Sequence, residues 1–179
     1  DVMCDMIHLV KDKVKRLEEA PYIFTTLHRP YNTDDSDRIF SILQHLNALG
    51  KKVIIPLHPR AVARLKSFEI DTAQFENLNI IEPIGYIESI SYQTYADMII
   101  TDSGGMQKEA YILKKKCITV RSETEWTETL ENGWNTLVFE NLADLKTAML
   151  STPGDYTENL YGDGNAAAEI TAIIKSHFN

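Results

Sequence analysis

The sequence predicts an α/β fold, a single Rossmann-like domain in three layers with an open parallel sheet of about six strands between helices. Short β-type runs alternate with longer helical runs along the 179 residues. Several strand runs (VIIPL at 53–57, MII at 98–100, CITV at 117–120) are continuously apolar, as strands covered on both faces of a parallel sheet are. The stretches between them suit right-handed βαβ crossovers. Ligands of such sheets bind beyond the carboxyl ends of the strands.

In chain order, Met6, Val10, Val14 and Leu17 trace a first helix, and 22–27 reads as the first strand. Ile39, Ile42, Leu43, Leu46 and Leu49 mark a helix that opens after Asn32, Thr33 and Asp34 and stops at Gly50. A strand at 52–57 is followed by a helix over 62–68 behind Pro59. Strands at 78–82 and 97–101 come next, and a turn of small residues then leads into a further helical stretch. Strands at 116–120 and 136–139 precede a last helix carrying Ala166, Ile170, Ile173, Ile174 and Phe178. No internal repeat is present.

With 44% hydrophobic, 25% charged and 9% aromatic residues, the chain fits neither disorder, collagen nor coiled coil. A chain of this length buries roughly 70% of its unfolded surface, enough for one core. Eighteen Lys plus Arg against twenty-six Asp plus Glu give a net charge of −8 without a basic stripe, which argues against nucleic-acid and anionic-membrane partners. No window approaches the ~20 apolar residues of a membrane span, and the opening residues lack a signal peptide's apolar run, so a soluble protein is expected. Cys4 and Cys117 alone cannot build a disulfide framework or a Cys-rich zinc site, and a reducing cytoplasm is the expected compartment. A start at Asp1 without methionine reads as a chain cut from something longer.

Polar residues just after strands are therefore the candidates for chemistry, and four stretches qualify. Thr101 to Ala110 (TDSGGMQKEA) joins a strand, a small-residue turn and a helix. Gly104 and Gly105 let a ligand approach the backbone, Ser103 supplies a hydroxyl and an N-cap, and the free N–H groups with the helix dipole favour an anion such as a diphosphate. Glu109, about one and a half turns further on, can accept hydrogen bonds from ribose hydroxyls. A capped helix with packing glycines is the competing account, since the Walker lysine and the G-x-G-x-x-G spacing are both lacking. His28 and Arg29 follow the first strand and offer a proton shuttle and a phosphate-holding fork, or an ordinary surface pair. His58 and Arg60 repeat the couple after the second strand, where a helix start with exposed polar residues is the alternative. A zinc site built on His28 and His58 has no third ligand at metal spacing, so no metal is expected. The fourth stretch, 121–133, holds four glutamates, which form either a solvated face or a sugar-contacting segment; Trp126 and Trp134 could stack on a sugar or base, or pack at an edge.

These residues resemble the non-hydrolysing UDP-N-acetylglucosamine 2-epimerases. The matching text is LHRPYN at 27–32, HPR at 58–60, TDSGGMQKEA at 101–110, RSETEWTE at 121–128 and NLYGDGNA at 159–166, five motifs in order over most of the chain. The resemblance is to the carboxyl-terminal half of a two-domain architecture of the glycosyltransferase-B type, whose nucleotide sugar sits in the cleft between domains. It implies that 1–179 is the nucleotide-binding domain, that the amino-terminal domain is absent from this chain, and that the helix over 165–179 normally crosses to that domain and is mobile or repacked here. Residue by residue, it implies that Ser103, Gly104 and Gly105 hold the diphosphate, with Arg29, His58 and Arg60 on the UDP side, and that Glu109 binds the ribose. His28 matches the family's catalytic histidine, which binds or protonates the leaving diphosphate. The stretch from Ile84 to Ser89 would contact uracil through backbone, and Thr124, Glu125 and Glu128 are candidates on the sugar side.

The implied reaction interconverts UDP-GlcNAc and UDP-ManNAc by anti elimination of UDP and syn re-addition. The ligands would be UDP and a UDP-N-acetylhexosamine, with no cofactor, in a homodimer when full length, serving surface-polysaccharide precursors. With the family's C2 carboxylates mainly on the other domain, the fragment alone would bind UDP weakly and not turn over. Two departures touch the sugar: Tyr31 stands where the family usually has glutamate, and Trp126 where some members have arginine. A UDP-diacetamido uronic acid sugar therefore competes as substrate. The rivals are a glycosyltransferase of the same architecture and a free-standing UDP-sugar-binding module.

Overall fold

A computed structural model describes residues 1–178; Asn179, the end of the expected crossing helix, lies outside the described residues. Six strands form one sheet in the order β3-β2-β1-β4-β5-β6. They are β1 Tyr22–Thr26, β2 Lys52–Pro56, β3 Leu78–Ile81, β4 Met98–Thr101, β5 Cys117–Thr119 and β6 Asn135–Leu137, and every pairing is parallel. The order reverses direction between β1 and β4, the switch point beside which a crevice opens in open α/β sheets.

Strand side chains divide between two cores by alternation. Ile23, Val53, Ile55, Ile100 and Ile118 pack against α3 (Ser36–Asn47), α4 (Pro59–Ser67) and α7 (Asp144–Leu150). On the other face Tyr22, Phe24, Ile54, Ile99 and Cys117 meet α5 (Tyr86–Tyr95) and α6 (Gly104–Ile112). Burial on both faces explains why the central strands read as unbroken apolar runs. The short helix α2 (Pro30–Thr33) follows β1, and α8 (Ala166–Phe178) closes the described chain.

Several expected boundaries move. The first helix, α1, spans Val2–Val10 and gives way to a 3₁₀ turn at Lys11–Lys13, so Val14 and Leu17 lie beyond it. Val14 still packs on Ile7, Val10 and Ile90, but from extended backbone, so helical spacing and burial coincide there without a helix. The second helical run is two helices: α2 begins on Pro30, and α3 begins afresh at Ser36 with the Asp35 carboxylate accepting from the Arg38 N–H. Gly50, at φ 68°, makes the left-handed exit that stops this run. Helices α5 and α7 were not singled out by periodicity: α5 mixes buried Ile90, Ser91 and Gln93 on its inner side, and α7 is only seven residues long.

Helix α8 keeps none of its residues buried. Its amino end rests on α1, where the Asp5 carboxylate accepts from the N–H groups of Ala166 and Ala167, contacts that hold that carboxyl below its usual range. Ile170, Ile173, Ile174 and Phe178 are exposed. No helix among the described residues is long and apolar enough to cross a membrane.

Candidate functional site

The carboxyl ends of β1, β4, β5 and β6 are tied together by one buried carboxylate and its neighbours. Asp102, the residue after β4, is fully buried. Its carboxylate accepts from the His28 N–H at 3.1 Å, the Arg29 N–H at 3.0 Å and the Asn32 amide at 3.1 Å. The same Asn32 amide donates to the Val120 carbonyl at the end of β5, at 3.0 Å. Arg38 donates to the Asn32 side-chain oxygen and to the Phe139 carbonyl beyond β6. Arg29 in turn donates from its guanidinium to the Asp102 carbonyl.

This clasp places His28. Its ring Nδ1 lies 3.1 Å from an Asp102 oxygen while the side chain remains about half exposed. Opposite a carboxylate Nδ1 carries the hydrogen, so Nε2 is the nitrogen turned outward. His28 also lines a cavity of about 260 Å³ with Thr33, His58, Arg60 and Ala61. His58 is the N-cap of α4, its Nδ1 accepting from the Arg60 N–H, and Arg60 pairs with Asp34 at 2.5 Å. The second His/Arg couple is therefore both the helix start and a wall of this cavity.

The amino end of α6 forms one residue beyond Asp102. Ser103 is its N-cap, accepting from the Met106 N–H, while its own N–H is anchored on Thr101 Oγ1 at 3.0 Å. Gly104 is hemmed in: a Cβ there would sit 3.5 Å from Trp126 Nε1, 3.6 Å from Glu125 Oε2 and 3.7 Å from Arg121 Nη1. Thr124 donates to Gln107 Oε1 at 2.6 Å, and Gln107 also accepts from Asn135 at 3.0 Å, so a fully buried glutamine of α6 suspends the 121–128 segment over the helix end. Glu125 forms a bidentate pair with buried Arg121, which holds its carboxyl down at about 2. Glu128 instead accepts from the Tyr161 hydroxyl at 2.7 Å.

Glu109 faces inward, buried, with the Gln93 amide donating to it at 2.8 Å. Burial pushes its carboxyl up, partly offset by that hydrogen bond. Gln93 reaches Ser89 as well, and Tyr86, at the start of α5, has its hydroxyl pushed up to about 12 by burial and by Glu109. The 84–89 stretch and Glu109 thus share one wall, with Ile84 half-buried against the core beneath. A buried carboxylate with a single donor and no cation among its hydrogen-bond partners can accept a pair of hydroxyls at little further desolvation cost.

Asp102, Asn32, Gln93, Gln107 and Arg121 do the positioning, and none was selected from sequence. Asn32, Asp102, Gln107 and Arg121 lie inside the quoted motifs, and Gln93 outside them, but their partners are settled only in the fold. Among the described residues no three His, Cys, Asp or Glu side chains gather as a metal site would require.

A family model described as UDP-N-acetylglucosamine 2-epimerase matches residues 1–175. The chain belongs to that family. A UDP-N-acetylglucosamine 2-epimerase homolog of Methanococcus maripaludis is 37% identical over 164 residues, covering 89% of this chain and 46% of the relative. A UDP-2,3-diacetamido-2,3-dideoxy-D-glucuronate 2-epimerase of Pseudomonas aeruginosa is 36% identical over 160 residues, covering 86% and 44%. The crystal structure of Methanocaldococcus jannaschii UDP-GlcNAc 2-epimerase in complex with UDP-GlcNAc and UDP aligns with a TM-score of 0.85 at 31% identity, over 98% of this chain and 53% of that one. The chain thus spans about half the length of the epimerases it matches, and its six-stranded sheet is one α/β half of their architecture.

Two outcomes follow from the geometry. Asp102→Ala leaves four donors without their acceptor and lowers stability by about 2–4 kcal/mol in urea unfolding; a change within experimental error would contradict the clasp. For Glu109, whose folded carboxyl titrates above its unfolded value, ionisation is disfavoured by folding, so the cost is absent below the ordinary carboxylate range and present in full above the folded value. Glu109→Gln should therefore melt higher than the parent at pH 7, with the gain vanishing in acid.

Proposed function

We propose that this chain is the UDP-binding half of a UDP-N-acetylhexosamine 2-epimerase, with the nucleotide along the carboxyl edge of β1, β4 and β5. The observation that carries the reading is the amino end of α6, where Gly104 and Gly105 present backbone N–H groups beside the Ser103 hydroxyl and Glu109 waits farther along the same helix. The diphosphate sits at the helix end, where the dipole and the N–H donors favour it. The ribose hydroxyls donate to Glu109, and the uracil lies toward 84–89. Arg29, His58 and Arg60 supply positive charge and donors at the neighbouring edge.

His28 Nε2 faces the leaving oxygen of the diphosphate, and the imidazolium gives a proton or a charge-assisted hydrogen bond as the sugar C–O bond breaks. Anti elimination of UDP, with the C2 proton taken by a base, leaves a 2-acetamidoglucal; syn re-addition returns UDP to the face it left and a proton to C2 on that same face, which inverts C2. Thr124, Glu125 and Glu128 lie on the sugar side, and the base that removes the C2 proton comes from the part of the relatives that this chain does not span. The relatives' names support two substrates, UDP-GlcNAc and the UDP-diacetamido uronic acid sugar, and the family assignment favours an epimerase over the glycosyltransferase. The same proposal includes a cytoplasmic setting, dimerisation of the whole protein, and passage of α8 to the other domain, where its exposed Ile170, Ile173, Ile174 and Phe178 would be covered.

Calorimetric titration of the chain with UDP, with UMP and ADP as controls, gives selective UDP binding, and Ser103→Ala combined with Glu109→Ala weakens it at least about tenfold while the variant stays folded. Unchanged affinity would remove the site. The full-length enzyme should convert either UDP sugar with glucal and UDP as released side products.

A further inference from the structure

Trp126 and Arg121 are left unexplained by a site made of backbone N–H groups, Glu109 and His28. The indole Nε1 of Trp126 is buried without a hydrogen-bond partner. An indole N–H is a donor only, and leaving it buried and unpaired is unfavourable. Its position is nevertheless closely held. The Trp126 backbone N–H donates to Thr124 Oγ1 at 3.0 Å, Thr124 hangs from Gln107, and the Lys108 ammonium lies 3.9 Å from the centre of the ring. Lys108 is itself buried and paired with Asp1 at 2.6 Å, so the cation over the ring is fixed. A cation there draws electron density from the ring and makes the N–H a stronger donor.

Three groups converge beside Gly104: this unpaired N–H, one nitrogen of the Arg121 guanidinium, and one oxygen of the Glu125 carboxylate. Arg121 is 7% exposed, whereas the Glu125 side chain is 57% exposed. The donors are built into the fold, and the acceptor reaches in from solvent. We propose that Arg121 and the Trp126 indole N–H form an oxyanion subsite beside Gly104, which the Glu125 carboxylate fills in the free protein and vacates for an anionic group of the ligand. Glu125 stands where two ligand oxygens will stand, its carboxylate using the same planar fork of Arg121 that a phosphate or a sugar carboxylate uses. Ligand entry exchanges one anion for another on Arg121 and gives the indole N–H the acceptor it lacks. The subsite rests on the UDP reading of α6 and adds to it a residue pair that selects for anionic oxygen next to the diphosphate-binding glycines.

The chain has two tryptophans, and the other, Trp134, has its indole N–H on the Asp155 carbonyl at 3.2 Å, so each indole resonance reports separately in ¹H–¹⁵N NMR. The chain is titrated with uridine, UDP and UDP-glucuronic acid. Movement of the Trp126 indole resonance with UDP but not uridine assigns the subsite to the diphosphate; movement only with UDP-glucuronic acid assigns it to a sugar carboxylate. If the Gly104 and Gly105 amides move while the Trp126 indole stays still with both anions, the subsite is wrong and the UDP site stands. If nothing moves with any ligand, both fall. Trp126→Phe, which keeps a ring under Lys108 but has no N–H, weakens the anionic ligand about tenfold, the size of one hydrogen bond to a charged group. Glu125→Gln strengthens it up to about fivefold, as expected for release of an exposed ion pair; no gain, or a loss, contradicts the exchange.

Discussion

The carboxyl edge of this domain's sheet depends on keeping one fully buried carboxylate satisfied. Asp102 lies at the switch point between β1 and β4, where a parallel sheet leaves its strand ends open, and its charge would be expensive there without donors. Folding supplies them from the neighbouring strand's loop: two backbone N–H groups, the Asn32 amide and the ring of His28. Because Asn32 also reaches Val120 and is held by Arg38, the loop after β1 cannot move without disturbing the ends of β4, β5 and β6. His28 and the amino end of α6 are fixed by the same residue from opposite sides, Asp102 being one step before Ser103.

Around that clasp the polar interior is graded by how much remains unsatisfied. Gln107 has both ends engaged and works as a hanger for the 121–128 segment. Gln93 holds Glu109 through its amide nitrogen and leaves its oxygen unpaired, and Trp126 leaves its N–H unpaired. Gln107 belongs to the frame, and the unpaired atoms of Gln93 and Trp126 border the proposed nucleotide path. Such groups lower the stability of the free fold and raise what a ligand gains by meeting them.

The fold class, all six strands to within a residue or two, and the helices with a clean apolar stripe were legible because burial on two faces and helical spacing are local signals. Apolar spacing overextends the first helix because Val14 is half-buried by packing and not by helical geometry. Helix α5 escaped notice because its inner face includes Ser91 and Gln93, polar residues whose partners belong to other elements. The motifs follow strands, and the structure places His28 after β1 and Ser103, Gly104 and Glu109 on the segment after β4, joined through Asp102. What sequence could not show is that Arg60 is engaged with Asp34 or that Asp102 and Gln107 organise the rest, since each is a contact between separate elements, or that Glu125 is engaged with Arg121, a pair four residues apart that forms in a loop and not on a helix face.

A crystal structure of the chain with UDP bound tests the central claim most directly, that the Asp102 clasp holds a nucleotide edge already in shape. The account predicts the diphosphate on the N–H groups at the start of α6, the ribose on Glu109, and every Asp102 contact to His28, Arg29 and Asn32 unchanged. UDP seated elsewhere, or a 28–33 loop that must leave Asp102 to admit it, would contradict the account.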